Sequence, residues 1–330
     1  MRFTFSLISD TIFKRGYAMS FHAFFFNAID KIYYRRQNCR RETRFEDLDF
    51  DIVRDIVYDP SDGATCRLDV CRLRGTGSLP VIFYIHGGGF EAGDKHCRAA
   101  LARWFAALGY AVVNVNYGPA PRYRFPAQHV QLCAALGWVQ DNAAKYGFDL
   151  SRVICGGDSA GAYYAAALAC IADNGELQSR LGASPCIKFG AMLLNCGVYD
   201  MVKLARSKMI FRLGKYVFRD VTGIPHEEEG TYEWRELLDI PRLVTPRFPQ
   251  SFVTCSRRDT LCRGQTESLL PALEKSGVPA EVFCATGPRD DHCFSLMWRG
   301  ASARRCNALL ADFLRRFAAG GKLCGMRKLQ

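Results

Sequence analysis

The chain has 330 residues, 49% of them hydrophobic and 23% charged, with a formal net charge of +11. That length supports a large buried core, in one large domain or two smaller ones. Its fifteen cysteines are odd in number, scattered, often inside apolar runs and never spaced C-x-x-C. This argues against a disulfide scaffold or a zinc cage and reads as reduced thiols of a cytoplasmic protein. The positive charge gathers at Arg35, Arg36, Arg40, Arg41 and Arg44, and again at Arg304, Arg305, Arg315 and Arg316. No nucleic-acid motif or aromatic platform accompanies these clusters, so they read as solvated basic faces.

Met1 to Tyr34 is rich in phenylalanine, but Asp10, Lys14, Arg15, Asn27 and Asp30 interrupt it. It therefore holds no 18-residue membrane span and makes a poor signal peptide. Phe21, Phe24, Phe25, Ala28, Ile29, Ile32 and Tyr33 recur near helical spacing, predicting amphipathic helices that cover something apolar. A membrane-surface anchor is the sharper alternative. Ile52 to Tyr58 and Cys66 to Leu73 read as strands around the turn Asp59-Pro60-Ser61-Asp62-Gly63. Leu79 to Ile85 is a continuous apolar strand, as expected where both faces are covered. A helix over Ala99 to Leu108, a strand over Tyr110 to Asn116 and a long helix over Pro126 to Tyr146 follow.

Arg152 to Cys155 is a short strand, the residues from Ser159 a helix, and Ile187 to Asn195 another apolar strand. Tyr199 to Arg247 breaks the alternation, being Arg- and Glu-rich without strand runs, and reads as an inserted helical lid. The rhythm resumes with strand Ser251 to Ser256, helix Arg263 to Lys275, strand Ala280 to Cys284 and helix Ala301 to Phe317. Strands alternating with helices predict an α/β protein with a mostly parallel central sheet.

Two glycine-rich turns follow strands of this series. Gly157-Asp158-Ser159-Ala160-Gly161 matches G-x-S-x-G between an apolar run and a helix, the setting of a nucleophile elbow that leaves the serine Oγ exposed. Ile85-His86-Gly87-Gly88-Gly89 ends the apolar strand upstream. Such a turn aims N–H groups at an oxyanion, beside the N–H of the residue after the serine, Ala160. A dinucleotide fingerprint would also fit Gly87, Gly89 and Ala92, but no acidic residue ends the next strand.

A serine needs a base to take its proton and a carboxylate to orient that base. Of the six histidines, His292 alone follows the last predicted strand, and the order nucleophile, acid, base favours it. Asp259, directly after the strand ending at Ser256, is the favoured acid, with the helix N-cap as its other reading. Asp200 is the runner-up, and Asp290 and Asp291 abut the histidine. Asp158 reads as a group that fixes the turn or a neighbouring loop by hydrogen bonding.

From about Leu79 onward the chain resembles the hormone-sensitive-lipase-like carboxylesterases of the α/β-hydrolase fold. The resemblance rests on His86-Gly87-Gly88-Gly89-Phe90, on Asn116 to Pro121 with Phe125-Pro126-Ala127, on Gly157 to Gly161, and on Asp259-Thr260-Leu261 with His292-Cys293-Phe294. Four positions depart from the family pattern: Gly118, Pro119, Ala162 and Thr260, and an acidic residue is missing near Val130 and Gln131. The resemblance implies Ser159 as nucleophile, His292 as base and Asp259 as orienter. It implies an oxyanion hole of the Gly88, Gly89 and Ala160 amides, with Gly87 shaping the turn. A cap would comprise residues 1–50 and an insertion at about 199–247 of a catalytic domain spanning 51–330.

The expected activity is serine-dependent hydrolysis of carboxylic esters, with short acyl groups, through an acyl-enzyme and without metal or cofactor. An amidase or lactonase on the same triad, or a binding protein without turnover, are the alternatives. The expected partner is a small-molecule ester.

Overall fold

The computed structural model describes residues 21–38, 45–207 and 212–329. The helical reading of Met1 to Ser20 lies outside these residues. One nine-stranded sheet organises the chain, in the order β1-β2-β4-β3-β5-β6-β7-β8-β9. The strands are β1 (Phe50–Val57), β2 (Arg67–Leu73), β3 (Leu79–Ile85), β4 (Ala111–Val115), β5 (Phe148–Asp158), β6 (Ala191–Asn195), β7 (Gln250–Ser256), β8 (Ala280–Ala285) and β9 (Met326–Leu329). β2 pairs antiparallel with both β1 and β4, and every other pairing is parallel.

The helices are α1 (Phe21–Asn38), α2 (Ala99–Ala107), α3 (Ala127–Asp141), α4 (Ala143–Tyr146), α5 (Ala160–Ala172), α6 (Gly175–Leu181), α7 (Met201–Arg206), α8 (Leu213–Thr222), α9 (Ile240–Leu243), α10 (Thr266–Lys275) and α11 (Gly300–Ala318). They cover both faces of the sheet. In β3, Val81, Phe83 and Ile85 face the core shared with α3, α5 and α10. Ile82 and Tyr84 face the opposite core, shared with α2 and α11. The two-residue period of a strand requires this split, and it explains why a central parallel strand is apolar throughout. Each such side chain, fully buried, contributes roughly 1.5–3 kcal/mol of transfer free energy.

The connection after β3 reaches α2 on one face, and that after β5 reaches α5 on the other. Because β3 and β5 are neighbours, their loops part company at the carboxyl edge and leave a crevice there. That is the position where open α/β sheets bind ligands.

Several boundaries differ from the sequence reading. The helix read over Pro126 to Tyr146 breaks at Asn142, whose side-chain amide donates to the Trp138 carbonyl at 2.9 Å. β9 was not anticipated, because Arg327 and Lys328 are exposed in it and Leu329 alone is buried. The larger correction concerns α1. Its buried face is His22, Ala23, Phe26 and Asp30, while Phe24 and Ile32 of the expected apolar stripe are 49% and 47% exposed. The helix is turned so that two polar side chains reach buried partners. The expected lid contains α7, α8, α9 and short 3-10 turns, and one isolated bridge, Asp200 to Asp239, closes it at its base. Among the described residues, no helix is long and apolar enough to cross a membrane.

Candidate active site

Ile85 is the register partner of Gly157, so the two glycine-rich turns leave the sheet side by side. Ser159 sits between β5 and α5 with φ 53° and ψ −120°, a conformation that non-glycine residues adopt only where the surroundings impose it. The imposition is visible. A Cβ on Gly157 would lie 2.5 Å from the Ile85 carbonyl oxygen, and one on Gly161 only 2.0 Å from it. Backbone contact between the turns therefore demands glycine on both sides of the serine. The Ser159 N–H donates to the Asn195 carbonyl at 2.9 Å, tying the turn to the end of β6.

Asp259 follows β7 and His292 follows β8, both at this same edge. Nδ1 of His292 lies 3.0 and 2.9 Å from the two carboxylate oxygens of Asp259. Asp259 also accepts the N–H groups of Leu261 at 2.9 Å and Cys262 at 2.6 Å. These two bonds close a turn, and the helix N-cap of its other reading does not form, because the helix that follows begins only at Thr266, with Gln265 at its N-cap. Both residues are buried, at 3% and 6% exposure. Burial would lower the His292 pKa, but the adjacent Asp259 carboxylate outweighs it and holds the imidazolium well above its ordinary value. Burial would likewise raise Asp259, yet His292 and the two N–H bonds hold its carboxyl below the usual range.

The other acids considered are occupied elsewhere. Asp200 caps α7 by accepting the Lys203 N–H at 2.8 Å. Asp291 accepts the Thr260 and His292 N–H groups at 2.8 and 2.7 Å, and Asp290 accepts that of Gly287 at 2.9 Å. None of the three bonds the His292 ring among the described contacts.

Ser159, His292, Gly88 and Gly89 line one narrow cavity of about 20 Å³ together with Phe26, Ile29 and Leu261. Gly88 and Gly89 adopt φ 139° and 63°, and a Cβ on Gly88 would sit 2.0 Å from the Ala92 carbonyl oxygen. The N–H groups of Gly88, Gly89 and Ala160 donate to no protein acceptor among the described residues. Gly87 packs against Asp158 and Ser159, where a Cβ would meet Asp158 Oδ2 at 2.5 Å. His86 turns inward, its Nδ1 2.8 Å from the Gly87 carbonyl and its ring stacked on Tyr117. The four glycine and alanine positions thus converge on the serine. The Phe26 ring closes the cavity, since a Cβ on Gly89 would fall 2.4 Å from Phe26 Cε2.

Behind the serine lies a buried ion network that sequence reasoning missed. Arg98 donates from Nε and Nη2 to the two Asp158 oxygens at 2.8 and 2.7 Å, and from Nη2 to Asp30 of α1 at 3.1 Å. The Tyr84 hydroxyl donates to Asp158 at 3.1 Å. Burial favours the neutral form of both acids. Arg98 overrides it at Asp158, which stays below the usual carboxylate range, but not at Asp30, which is raised and whose Oδ2 has no hydrogen-bond partner among the described residues. Asp158 was expected to hydrogen-bond the turn or a neighbouring loop; its carboxylate instead accepts from Arg98 and Tyr84, partners the sequence did not name. The signal was Asp30, a lone acid within an apolar helix. At the departures from the family pattern, Gly118 donates its N–H to Gln131 at 2.8 Å, and the Tyr123 ring fills the space beside it.

Donor atoms of Asp259, Cys262 and His292 lie within 4.8 Å of one another, as do those of Cys196, His292 and Cys293. Burial pushes the Cys262 and Cys293 thiols up, so both rest protonated, whereas a metal takes thiolate.

A family model described as alpha/beta hydrolase fold matches residues 82–296. Bovine (Bos taurus) arylacetamide deacetylase is 44% identical over 93 residues, covering 27% of this chain and 23% of that protein. Esterase LipQ of Mycobacterium tuberculosis (strain ATCC 25618 / H37Rv) is 28% identical over 268 residues, covering 79% of this chain and 61% of that protein. The matched stretches thus span between about a quarter and three-fifths of these relatives. An inhibited esterase B from Lactobacillus rhamnosis superposes with a TM-score of 0.76 at 22% identity, over 89% of this chain and 93% of its own.

Proposed function

We propose that this chain, which belongs to the α/β-hydrolase fold family, hydrolyses carboxylic esters through Ser159. The observation that carries the reading is the buried Asp259–His292 pair at the edge where the strained Ser159 turn emerges. His292 takes the Ser159 proton as the hydroxyl attacks the ester carbonyl. Asp259 holds the imidazole with Nδ1 as donor, which leaves Nε2 to work. The Gly88, Gly89 and Ala160 amides receive the developing oxyanion, at the position where removing a single donor typically costs about 10²–10³ in rate. His292 then returns the proton to the leaving alcohol, and water hydrolyses the acyl-enzyme by the same steps in reverse order of roles.

The narrow space bounded by Phe26, Gly88 and Gly89 supports short acyl groups. α1, which lends Phe26, Ile29 and Asp30 to this space, acts as its cap, and the segment at about 199–247 braces α1 through Tyr216 and Asp220 against His22. The names of the relatives, an esterase and a deacetylase, agree with acyl transfer to water. The name arylacetamide deacetylase favours one second reading, amide hydrolysis on the same triad.

The test is turnover of p-nitrophenyl esters with two, four, eight and twelve acyl carbons, beside Ser159→Ala and beside the isosteric anilides. Turnover that peaks at short chains and vanishes in the variant supports the reading. Folded protein without turnover, or equal turnover in the variant, sinks it. A preference for the anilide transfers the proposal to amides.

A further inference from the structure

A second and far larger cavity, of about 670 Å³, opens beside the narrow one. Ile29, Leu261 and His292 line both, so the two spaces meet at the catalytic imidazole. One wall is apolar, with Phe25 and Ile29 from α1 facing Phe294 and Met297. The rim is basic: Arg36 enters from α1, and Arg289 and Arg299 from the segment that carries His292.

These three guanidiniums make no ion pair among the described residues. The two carboxylates in the same lining are drawn to backbone, Asp290 to the Gly287 N–H and Asp291 to those of Thr260 and His292. An unpaired arginine cluster at the mouth of a cavity is fitted to a carboxylate or phosphate, which guanidinium grips with two parallel hydrogen bonds.

We infer that this cavity receives the leaving-alcohol half of an ester bearing a carboxylate or phosphate, with an apolar body between ester and anion. The inference rests on the hydrolase reading. The orientation follows from the chemistry: His292 must return its proton to the leaving oxygen, so the alcohol lies on the imidazole side. The large cavity is on that side, whereas the acyl group is confined against Gly88, Gly89 and Phe26.

The experiment compares kcat/KM for 4-acetoxybenzoate and 4-acetoxyphenyl phosphate with that for neutral methyl 4-acetoxybenzoate. It uses the full chain and the double variant Arg289→Gln/Arg299→Gln. The expected result is an anionic-to-neutral ratio above one that falls about tenfold or more in the double variant, mainly through KM, and falls also with added salt. The anion with the larger ratio identifies the group. A ratio that the double variant leaves unchanged, or that favours the neutral ester in the parent, overturns the inference. If none of the three esters turns over, the hydrolase reading has failed. The cavity is then judged by calorimetric binding of 4-acetoxybenzoate to the folded protein. Binding that weakens tenfold in the double variant upholds the anion site, and no binding overturns it.

Discussion

Arg98 grips Asp158 with two hydrogen bonds, of 2.8 and 2.7 Å, and Asp158 is the residue immediately before Ser159. The same guanidinium reaches Asp30 on α1. One buried side chain therefore joins the strained turn of Ser159 to the helix that closes the cavity over it. Both ends of the arrangement depend on a charge that has left water, and this makes it costly to interrupt.

Arg98→Met leaves Asp158 and Asp30 buried without a cation. Breaking a buried pair in this way costs about 3–5 kcal/mol. Urea denaturation should show a loss of that size, together with a fall in kcat as the turn relaxes. A loss below about 1 kcal/mol would mean that water or another group compensates Asp158, and the coupling would be abandoned.

Asp259→Asn should lower kcat by about four orders of magnitude, because the amide no longer fixes the imidazole tautomer. The pH profile adds a sharper reading. In the parent, burial lowers the His292 pKa but Asp259 raises it further, so the base becomes neutral only above its ordinary value of 6.5. The rising limb of kcat/KM against pH, which reports the free protein, should have its midpoint above that value. In the residual activity of the variant the charge is gone and burial remains, so the midpoint should move down. A midpoint that moves up, or stays put, would show that another group titrates.

Phe26→Ala should redirect chain-length preference. The ring lies against Gly89 and lines the narrow cavity, so its removal lengthens the acyl space. The ratio of eight-carbon to two-carbon ester turnover should rise tenfold or more, at a stability cost of about 3–5 kcal/mol for losing a buried phenylalanine. An unchanged ratio in folded protein would place the acyl group elsewhere.

What the sequence disclosed depended on how local each constraint was. Leu79–Ile85 could be read to the residue because a strand covered on both faces leaves an unbroken apolar run. The Asp259–His292 pairing was legible because Asp259 comes just after the strand ending at Ser256, His292 lies one loop beyond the next strand, and histidines are few. The α1 face was misphased for a complementary reason. Hydrophobic periodicity assumes that apolar side chains choose the buried face, whereas His22 and Asp30 choose it here through Glu91 and Arg98. Arg98 stayed hidden because its partners are 60 and 68 residues away, and no local pattern encodes such a distance.

Among the described thiols, Cys284 should be the first to react with iodoacetamide near neutral pH. It is exposed and pairs in register with Cys255 on β7, and the hydrogen bond from Cys255 pulls its pKa down to about 7. Burial instead pushes Cys71 and Cys133 up to about 12, so both stay protonated and slow. Peptide mapping after brief labelling should find Cys284 modified well ahead of these two, and Cys255→Ala, which removes the donor, should slow its labelling. Uniform labelling, or faster labelling of the variant, would refute the assignment.

The docking of α1 should weaken as pH rises. His22 sits 2.5 Å from Glu91 and 3.7 Å from Asp220, stacked on Tyr216, with Arg219 as the opposing charge. Its hydrogen bond to Glu91 raises its pKa above 6.5 against the lowering effect of burial. A group raised in the folded state stabilises that state fully below its unfolded pKa, and the contribution disappears as pH passes through the folded pKa. Protection of the α1 amides should therefore be greatest near pH 6 and decline above neutrality, after correction for intrinsic exchange rates. His22→Gln should flatten this dependence, because glutamine keeps a hydrogen bond to Glu91 but carries no proton to lose. Protection that rises with pH in the parent would assign the latch to a carboxylate, and protection independent of pH would leave the hold on α1 to Asp30 and Phe26.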